Sequence, residues 1–524
     1  MVVATSAHAA EPWSDADPPG PPTRIQLTEH TGFRGALEYR ANAVSVRPLD
    51  LTATHERHFS DIEHRLRLDG QIDYDDKVRL AVSVDALDGV LWGDNADDGA
   101  KVATNNTNVR TPCITLRDGE PATQAKSYHY GVCPADAIVI RRAYGDLLTP
   151  IGLVRIGRQA FTEGASITVN DGDGRKNRFG FARRGNSADR ILFATKPLEA
   201  FHSPDMRDAS DTRGLFLILA YDRLVTDDPQ RFNDDLHGFI TAVRWLEPST
   251  DTEGRLYHAY RWSGLNDTGV SAFGGRATTR IGEVSAGAEM ALITGSTAEI
   301  SEAFRVVTND PPVKQDIRQF GARGVVRWDR PFFSLYFETD YASGDSDPSV
   351  RSPLTQFRFA EDSKVGLLLF EHVLAFQTAR AAAAGVAVLK DLHAPSTPVD
   401  AIATRGSFTN AFALFPQFDL HPLHNILVRG GVLMAWAPAK VVDPIASLQR
   451  KDGVRLEDQL VNFNGGRPNR YYGTELDARV QWRFMDHFAF DLEGAVLFPG
   501  SALEDENGDA ARSFLVQGRG TFFF

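Results

Sequence analysis

The chain has 524 residues, 42% of them hydrophobic, and a formal net charge of −13. That acidity argues against a nucleic-acid partner, because phosphate binding runs on surplus Lys and Arg. The longest apolar runs, Gly214–Tyr221 and Val365–Phe370, fall far short of the ~18 residues a membrane-spanning helix needs. A helical membrane protein is therefore excluded, whereas a strand-built one is not, since alternation halves the apolar content of each span.

At the N-terminus, Ala7-His8-Ala9 before Glu11-Pro12 has the A-x-A form of an export cleavage site. With the Pro- and Asp-rich stretch Glu11–Thr23, it reads residues 1–23 as a signal-peptide remnant and flexible lead-in. Residues 24–524 then form one unit. Ile25–Ala41 reads as a first, irregular strand. Arg65–Tyr74 is cleaner: Leu66, Leu68, Gly70, Ile72 and Tyr74 alternate with Arg65, Arg67, Asp69, Gln71 and Asp73. After Asp75-Asp76 the pattern resumes, with Val78, Leu80, Val82 and Val84 against Arg79, Ala81, Ser83 and Asp85. Two alternating runs joined by a tight turn make a hairpin.

The polar segment Gly93–Asp136 holds both cysteines, Cys113 and Cys133. Their spacing is not that of a metal site. In an oxidising compartment they would form a disulfide pinning one outer loop, for about 3 kcal/mol of loop-closure entropy. Strands follow at Ala137–Leu148 and Gly152–Phe161. The next loop, Thr162–Ser187, is basic, with Arg175, Lys176, Arg178, Arg183 and Arg184. It includes Asn170–Gly174, but Ala182 stands where a calcium loop starting at Asp171 needs its closing Glu, so no metal is expected there.

Alternation continues through Arg190–Lys196, Arg213–Asp222, His237–Trp245, Leu256–Trp262, Ala272–Ile281, Val284–Thr294, Ile317–Trp328 and Phe332–Tyr341. Asp362–Leu389 has helical spacing instead (Leu367, Leu368, Phe370, Val373, Leu374 and Phe376, then an alanine run). This predicts a helix either outside the sheet or folded into the mouth of a barrel. Strands resume at Phe408–Leu420, Ile426–Trp436, Tyr472–Arg483 and Phe488–Val496. The last is Arg512–Phe524, with Phe514, Val516, Gly518, Gly520, Phe522 and Phe524 on one face.

The links alternate between short and long, and only the link after Lys196 breaks the order. About 18 strands with that rhythm form an all-β fold: a transmembrane up-and-down antiparallel β-barrel with short periplasmic turns and long extracellular loops, one carrying a helix. Charge in hydrocarbon costs a few kcal/mol near the midplane. The charged face of each strand must therefore look into the lumen. This assigns Arg65, Arg67, Arg79, Asp85, Arg323, Arg327, Glu338, Asp340, Arg429, Glu475, Asp477, Arg479, Arg483, Asp491, Glu493 and Arg519 to the pore lining. Trp328, Tyr341, Trp436 and Trp482 fall near strand ends on the lipid face, where interface girdles form. With Lys77, Asp69 and Asp73 of the same strands included, acids and bases nearly balance, so the wall implies no clear ion preference. It fits either a salt-bridged wall or a charged ladder that steers solutes.

Three stretches resemble known families. The terminal Phe524 with alternate apolar residues before it resembles the C-terminal signal of bacterial outer-membrane proteins, which implies the barrel-assembly machinery as a partner. Gly152 followed by Arg155-Ile156-Gly157-Arg158-Gln159 is similar to an early strand of general porins. That resemblance implies that Thr162–Ser187 folds inward as a constriction loop. Phe357–Val373, FRFAEDSKVGLLLFEHV, resembles a segment of the alginate-export group. The expectation is an outer-membrane porin-like channel, without cofactor or catalytic residues, for passive diffusion of small polar or charged solutes across the lipid bilayer. The alternative is a plugged structural barrel or a barrel enzyme.

Overall fold

The computed structural model describes residues 23–52, 58–75, 77–93, 114–116, 128–130, 138–161, 166–169, 177–181, 185–202, 210, 212–224, 236–264, 267–301, 311, 313–349, 351–391, 402–450, 459–484 and 487–524. Among them, 18 long strands close into one antiparallel barrel. The first nine are β1 (Thr31–Arg47), β2 (Phe59–Tyr74), β3 (Val78–Gly93), β4 (Ile138–Thr149), β5 (Gly152–Ala160), β6 (Ser187–Thr195), β7 (Gly214–Leu224), β8 (Leu236–Glu247) and β9 (Thr252–Ser263). The rest are β10 (Thr268–Ile281), β11 (Val284–Thr297), β12 (Gln315–Asp329), β13 (Phe333–Ala342), β14 (Ala411–Leu423), β15 (Ile426–Trp436), β16 (Tyr471–Phe484), β17 (Phe488–Pro499) and β18 (Ser513–Phe523).

Closure occurs where β18 meets β1, in register from Phe523 opposite Glu38 to Phe514 opposite Arg47. Phe524 continues the seam through two backbone hydrogen bonds with Leu37, each 2.8 Å. A short strand, Thr23–Gln26, folds back on β1 at Gly32–Gly35 and takes up the part of β1 that β18 does not reach. The sequence placed Ile25 in the first barrel strand; that residue belongs to this short strand, and β1 runs on to Arg47.

The period-two pattern decides which face meets lipid. On β18, Phe514 and Val516 are 51% and 59% exposed while Leu515 and Arg519 are 2% and 3% exposed. The exposed faces of the other strands are likewise apolar, and aromatic clusters mark both rims. Phe412, Trp436 and Tyr471 stack at the extracellular end; Trp482 with Phe484, and Trp328 with Phe333, sit at the periplasmic end. These are the positions of two interface girdles.

The hydrophobic core lies inside the barrel. After β13 the chain runs back along β12, bridging Leu354 to Ile317, then turns into the lumen at Phe357. Gly321 makes the entry possible: a Cβ there would meet the Phe357 ring at 2.2 Å. Phe359, Val365, Leu367, Leu368, Phe370 and Phe376 pack with Phe408 against wall residues Phe415, Leu433, Ala435, Tyr472, Leu497 and Leu515. Burying one such side chain contributes about 1.5–3 kcal/mol. The helical spacing thus resolves as one π-helical turn, Leu369–Leu374, followed by α1 (Ala375–Asp391), folded into the barrel mouth rather than outside it. Thr378 and Thr404 tie the helix to the returning chain.

Deleting Phe522–Phe524 removes the last pairs of the closing seam and leaves open strand edges in lipid, which a bilayer does not tolerate. The truncated chain is expected to lose the heat-modifiable band of a folded barrel on semi-native electrophoresis. A full-intensity folded band would contradict this closure.

Candidate functional site: a charged lumen crossed by two inserted segments

Residues 166–169 and 177–181 belong to a first inserted segment, and both stretches dock on the inward face of the barrel wall. At its near end the Glu289 carboxylate on β11 accepts from the Ser166 hydroxyl and, at 3.1 Å, from the Ile167 N–H. The Thr168 hydroxyl meets the Tyr257 hydroxyl of β9 at 2.8 Å. At the far end the Gly180 N–H donates to Glu493 of β17 at 3.1 Å. Alternation along β9, β11 and β17 turns those wall side chains inward, so the two described stretches meet the wall at separate places on its inner face.

Arg178 is the node at the far end. Its Nη2 donates to Asp419 and its Nε to Gln417, both at 2.7 Å, and its guanidinium lies 3.9 Å from the centre of the Tyr336 ring. Its carbonyl accepts from Arg429 Nη1 at 2.6 Å and Arg479 Nη1 at 2.9 Å. Arg429 in turn holds Asp419 through two hydrogen bonds, and Arg479 holds Asp491 at 2.9 Å with Glu493 at 3.7 Å. Phe179 and Phe181 put their rings beside Arg429 and Arg479, and Arg519 also covers Phe181. Charge-assisted bonds of this kind are the strong ones in a water-poor interior.

The second inserted segment docks on the first. Asn177 donates to the Asp362 carbonyl at 2.7 Å and accepts from the Lys364 N–H at 3.0 Å; the Ala360 N–H donates to the Ile167 carbonyl at 2.8 Å. On the wall, Arg323 binds Asp340 at 2.6 Å, Glu338 at 3.3 Å and the Ser363 hydroxyl at 3.0 Å. Glu475 accepts from the backbone of Leu367, Leu368 and Leu369, with buried Asp477 next on the same face of β16. Arg327 and Arg483, near the periplasmic rim, bond Asp329 and Gln481.

The assigned positions on β12–β18 therefore face inward as alternation requires, yet most lie under the inserted segments rather than along open water. The other side of the lumen differs. Arg79, Arg141, Arg155, Arg244 and Arg255 keep between 15% and 22% of their side-chain surface, whereas Arg178, Arg323, Arg429 and Arg479 keep between 0% and 6%. The inward faces of β4–β10 carry Arg141, Arg142, Arg155, Arg190, Arg244, Arg255, Arg261 and Arg276. Against these stand, among the described residues, Asp146, Asp222 and Glu253. Arg190 holds Asp222, and Arg244 and Arg255 share Glu253. Among the described residues, arginine thus outnumbers acid on the inward faces of this crescent.

A bulge adds to the excess. Ser83 pairs with Arg142 and Val84 with Ile140, so Arg141 is the extra residue on β4. A bulge re-aims side chains. Arg141 turns inward beside Arg142, and its Nε reaches Asp85 at 2.9 Å. Asp85 also takes two bonds from Arg67, with Arg65 at 4.0 Å, and Arg65 binds Glu38 at 2.6 Å. Arg67, Arg141 and Arg142 line a small cleft with Ser83 and Asn186. The cleanest strands were the ones tallied in the sequence, and two adjacent arginines break alternation, so this side was missed. Arg175, Lys176, Arg183 and Arg184 of the expected constriction loop, and Cys113 and Cys133 of the expected disulfide, lie outside the described residues.

The fold is that of a large outer-membrane β-barrel. It is similar to the crystal structure of OccAB1 from Acinetobacter baumannii, at 8% identity and a TM-score of 0.51 over 96% of this chain and 98% of that one. The outer membrane protein OpdK of Pseudomonas aeruginosa aligns at 9% identity and a TM-score of 0.45 over 94% and 98% of the two chains. OccK2 (OpdF) of Pseudomonas aeruginosa, solved in complex with glucuronate, aligns at 8% identity and a TM-score of 0.44 over 94% and 95%. No family model and no curated protein matches the sequence. At 8% identity the likeness to OccAB1 establishes the shared fold alone, and a functional reading rests on the residues above.

Arg178→Ala removes the guanidinium that joins the first inserted segment to Asp419 and Gln417. Breaking a buried pair of this kind costs about 3 kcal/mol. The denaturant midpoint of the folded barrel in detergent is expected to fall accordingly. An unchanged midpoint would show that the first inserted segment is not tied to the wall at Arg178.

Proposed function

We propose that this chain is a channel of the bacterial outer membrane that passes small polar and charged solutes, anions preferentially, along the arginine crescent of β4–β10. The observation that carries the reading is the arginine excess on the inward faces that keep surface exposed, opposite a wall sealed by the two inserted segments. A stripe of one sign between low-dielectric walls raises the local concentration of counter-charged solute. The residues first assigned to the pore lining on β12–β18 act in this reading as the frame that holds the constriction, and Arg67, Arg79, Asp85 and Arg141 belong to the passage.

Small solutes are favoured over a polymer because both inserted segments occupy the cross-section, and Phe357–Val373, which resembles the alginate-export group, is part of that filling. Transport rather than catalysis is the reading of the chemistry present. Ser45 and His58 do meet at 2.9 Å, and the outward position of Ser45 on β1 puts the pair on the outer face. Among the described residues, however, no carboxylate orients His58, and a hydrolase needs that third group. Export, recognition of the terminal strand ending in Phe524 by the assembly machinery, and a Cys113–Cys133 bridge complete the proposal.

Liposomes carrying the folded protein are expected to swell in isotonic small solutes, faster for anions than for cations of equal size. Arg142→Glu with Arg261→Glu should fold normally and reverse that preference. Leu256→Glu, on the lipid face and 68% exposed, should instead reduce folding yield, by up to a few kcal/mol near the midplane. Normal folding of the Leu256 variant, or an unchanged preference in the arginine variant, would overturn the assignment of faces.

A further inference from the structure

We infer that Glu475 is the positioning residue that sets the width of the passage, by anchoring the inserted segment Phe357–Asp391 to the barrel wall; this rests on the channel reading above. Three consecutive backbone donors converge on its carboxylate. The N–H groups of Leu367 and Leu368 reach Oε1 at 2.7 and 2.8 Å, and that of Leu369 reaches Oε2 at 2.6 Å. Successive backbone N–H groups at the start of a helical turn form an anion-binding concavity. Here the anion is a side chain of β16, fully buried. Leu369 opens the π-helical turn that leads into α1, so the bond fixes both the depth and the direction of the whole inserted helix.

The residue before the donors is built for the same contact. Gly366 has φ +72°, and a Cβ there would lie 2.6 Å from Leu433 Cδ2 and 2.9 Å from Glu475 Oε1. A residue with a side chain fits neither that backbone conformation nor that space. The segment also packs its apolar side chains on the wall, against Leu433, Tyr472 and Leu497 among others. Arg323 reaches the Ser363 hydroxyl, whereas Asn177 and Ile167 bind it to the other inserted segment rather than to the barrel. Farther along, Arg380 reaches the Phe463 carbonyl and the Asn464 side chain in an extracellular loop. Loss of the Glu475 carboxylate leaves three buried N–H groups without their acceptor, and water then replaces packed helix at the wall. The barrel itself does not depend on this bond, because the backbone of β16 pairs with β15 and β17 along its length.

The test uses the full chain with Glu475→Ala, Gly366→Ala and, as a control, Leu476→Val, the next residue of the same strand, 44% exposed on the lipid face. Each variant is folded into lipid, checked by its heat-modifiable band, and measured for unitary conductance in planar bilayers and for tryptic cleavage after Lys364 or Arg380. Glu475→Ala and Gly366→Ala should both conduct more than wild type and gain cleavage at these sites, while Leu476→Val should do neither. Folded Glu475→Ala and Gly366→Ala barrels with wild-type conductance and no new cleavage would overturn the inference. A folded wild-type barrel that carries no current would instead overturn the channel reading, with the cleavage pattern still reporting on the anchor.

Discussion

The structure depends first on the rule that a backbone polar group in hydrocarbon must find its partner within the protein. Pairing of β18 with β1 satisfies that rule for the whole sheet at once, and the short strand Thr23–Gln26 fills the length of β1 that β18 leaves over. Once the sheet is closed, period-two alternation has a single reading: whatever cannot enter lipid must point into the lumen. A chain with only 42% hydrophobic residues can therefore span a bilayer. The inward faces must in turn absorb a large number of charges.

Two solutions to that demand appear in one barrel. On β12–β18 the charges are neutralised in place: Arg323 with Asp340 and Glu338, Arg429 with Asp419, Arg479 with Asp491 and Glu493. These pairs are then covered by inserted segments that use leftover acceptors and donors, such as Glu475, Glu493 and the guanidinium groups around the Arg178 carbonyl. Burying ion pairs is costly unless their remaining valences are met, and the inserted backbone meets them. On β4–β10 arginine outnumbers acid among the described residues, and Arg141, Arg155, Arg244 and Arg255 stay partly exposed while Arg190 and Arg276 are buried. The asymmetry is the basis of the proposal that one side of the lumen is sealed and the other conducts.

Much of this was legible in the sequence. Alternation located all the barrel strands, and the cost of charge in lipid is what assigned the charged faces to the lumen. The apolar helical spacing near Leu367–Phe376 announced a helix but not its place, since an apolar helix packs equally well on any partner; the inward-facing Gly321 that admits Phe357 says nothing until the strands are closed. Glu475 reads in sequence as one more inward acid on β16, because its three partners come from residues more than a hundred positions earlier. The crescent was hidden for a local reason. Arg141 is a bulge residue, and a bulge is invisible to a period-two count.

The central claim is that current flows past arginines while the opposite wall is sealed. The most direct measurement is the reversal potential of single wild-type channels in a planar bilayer under a gradient of potassium chloride. The account predicts discrete current steps whose reversal potential has the sign of an anion-preferring pore. A folded barrel that passes no current, or one whose reversal potential has the sign of cation preference, would contradict it.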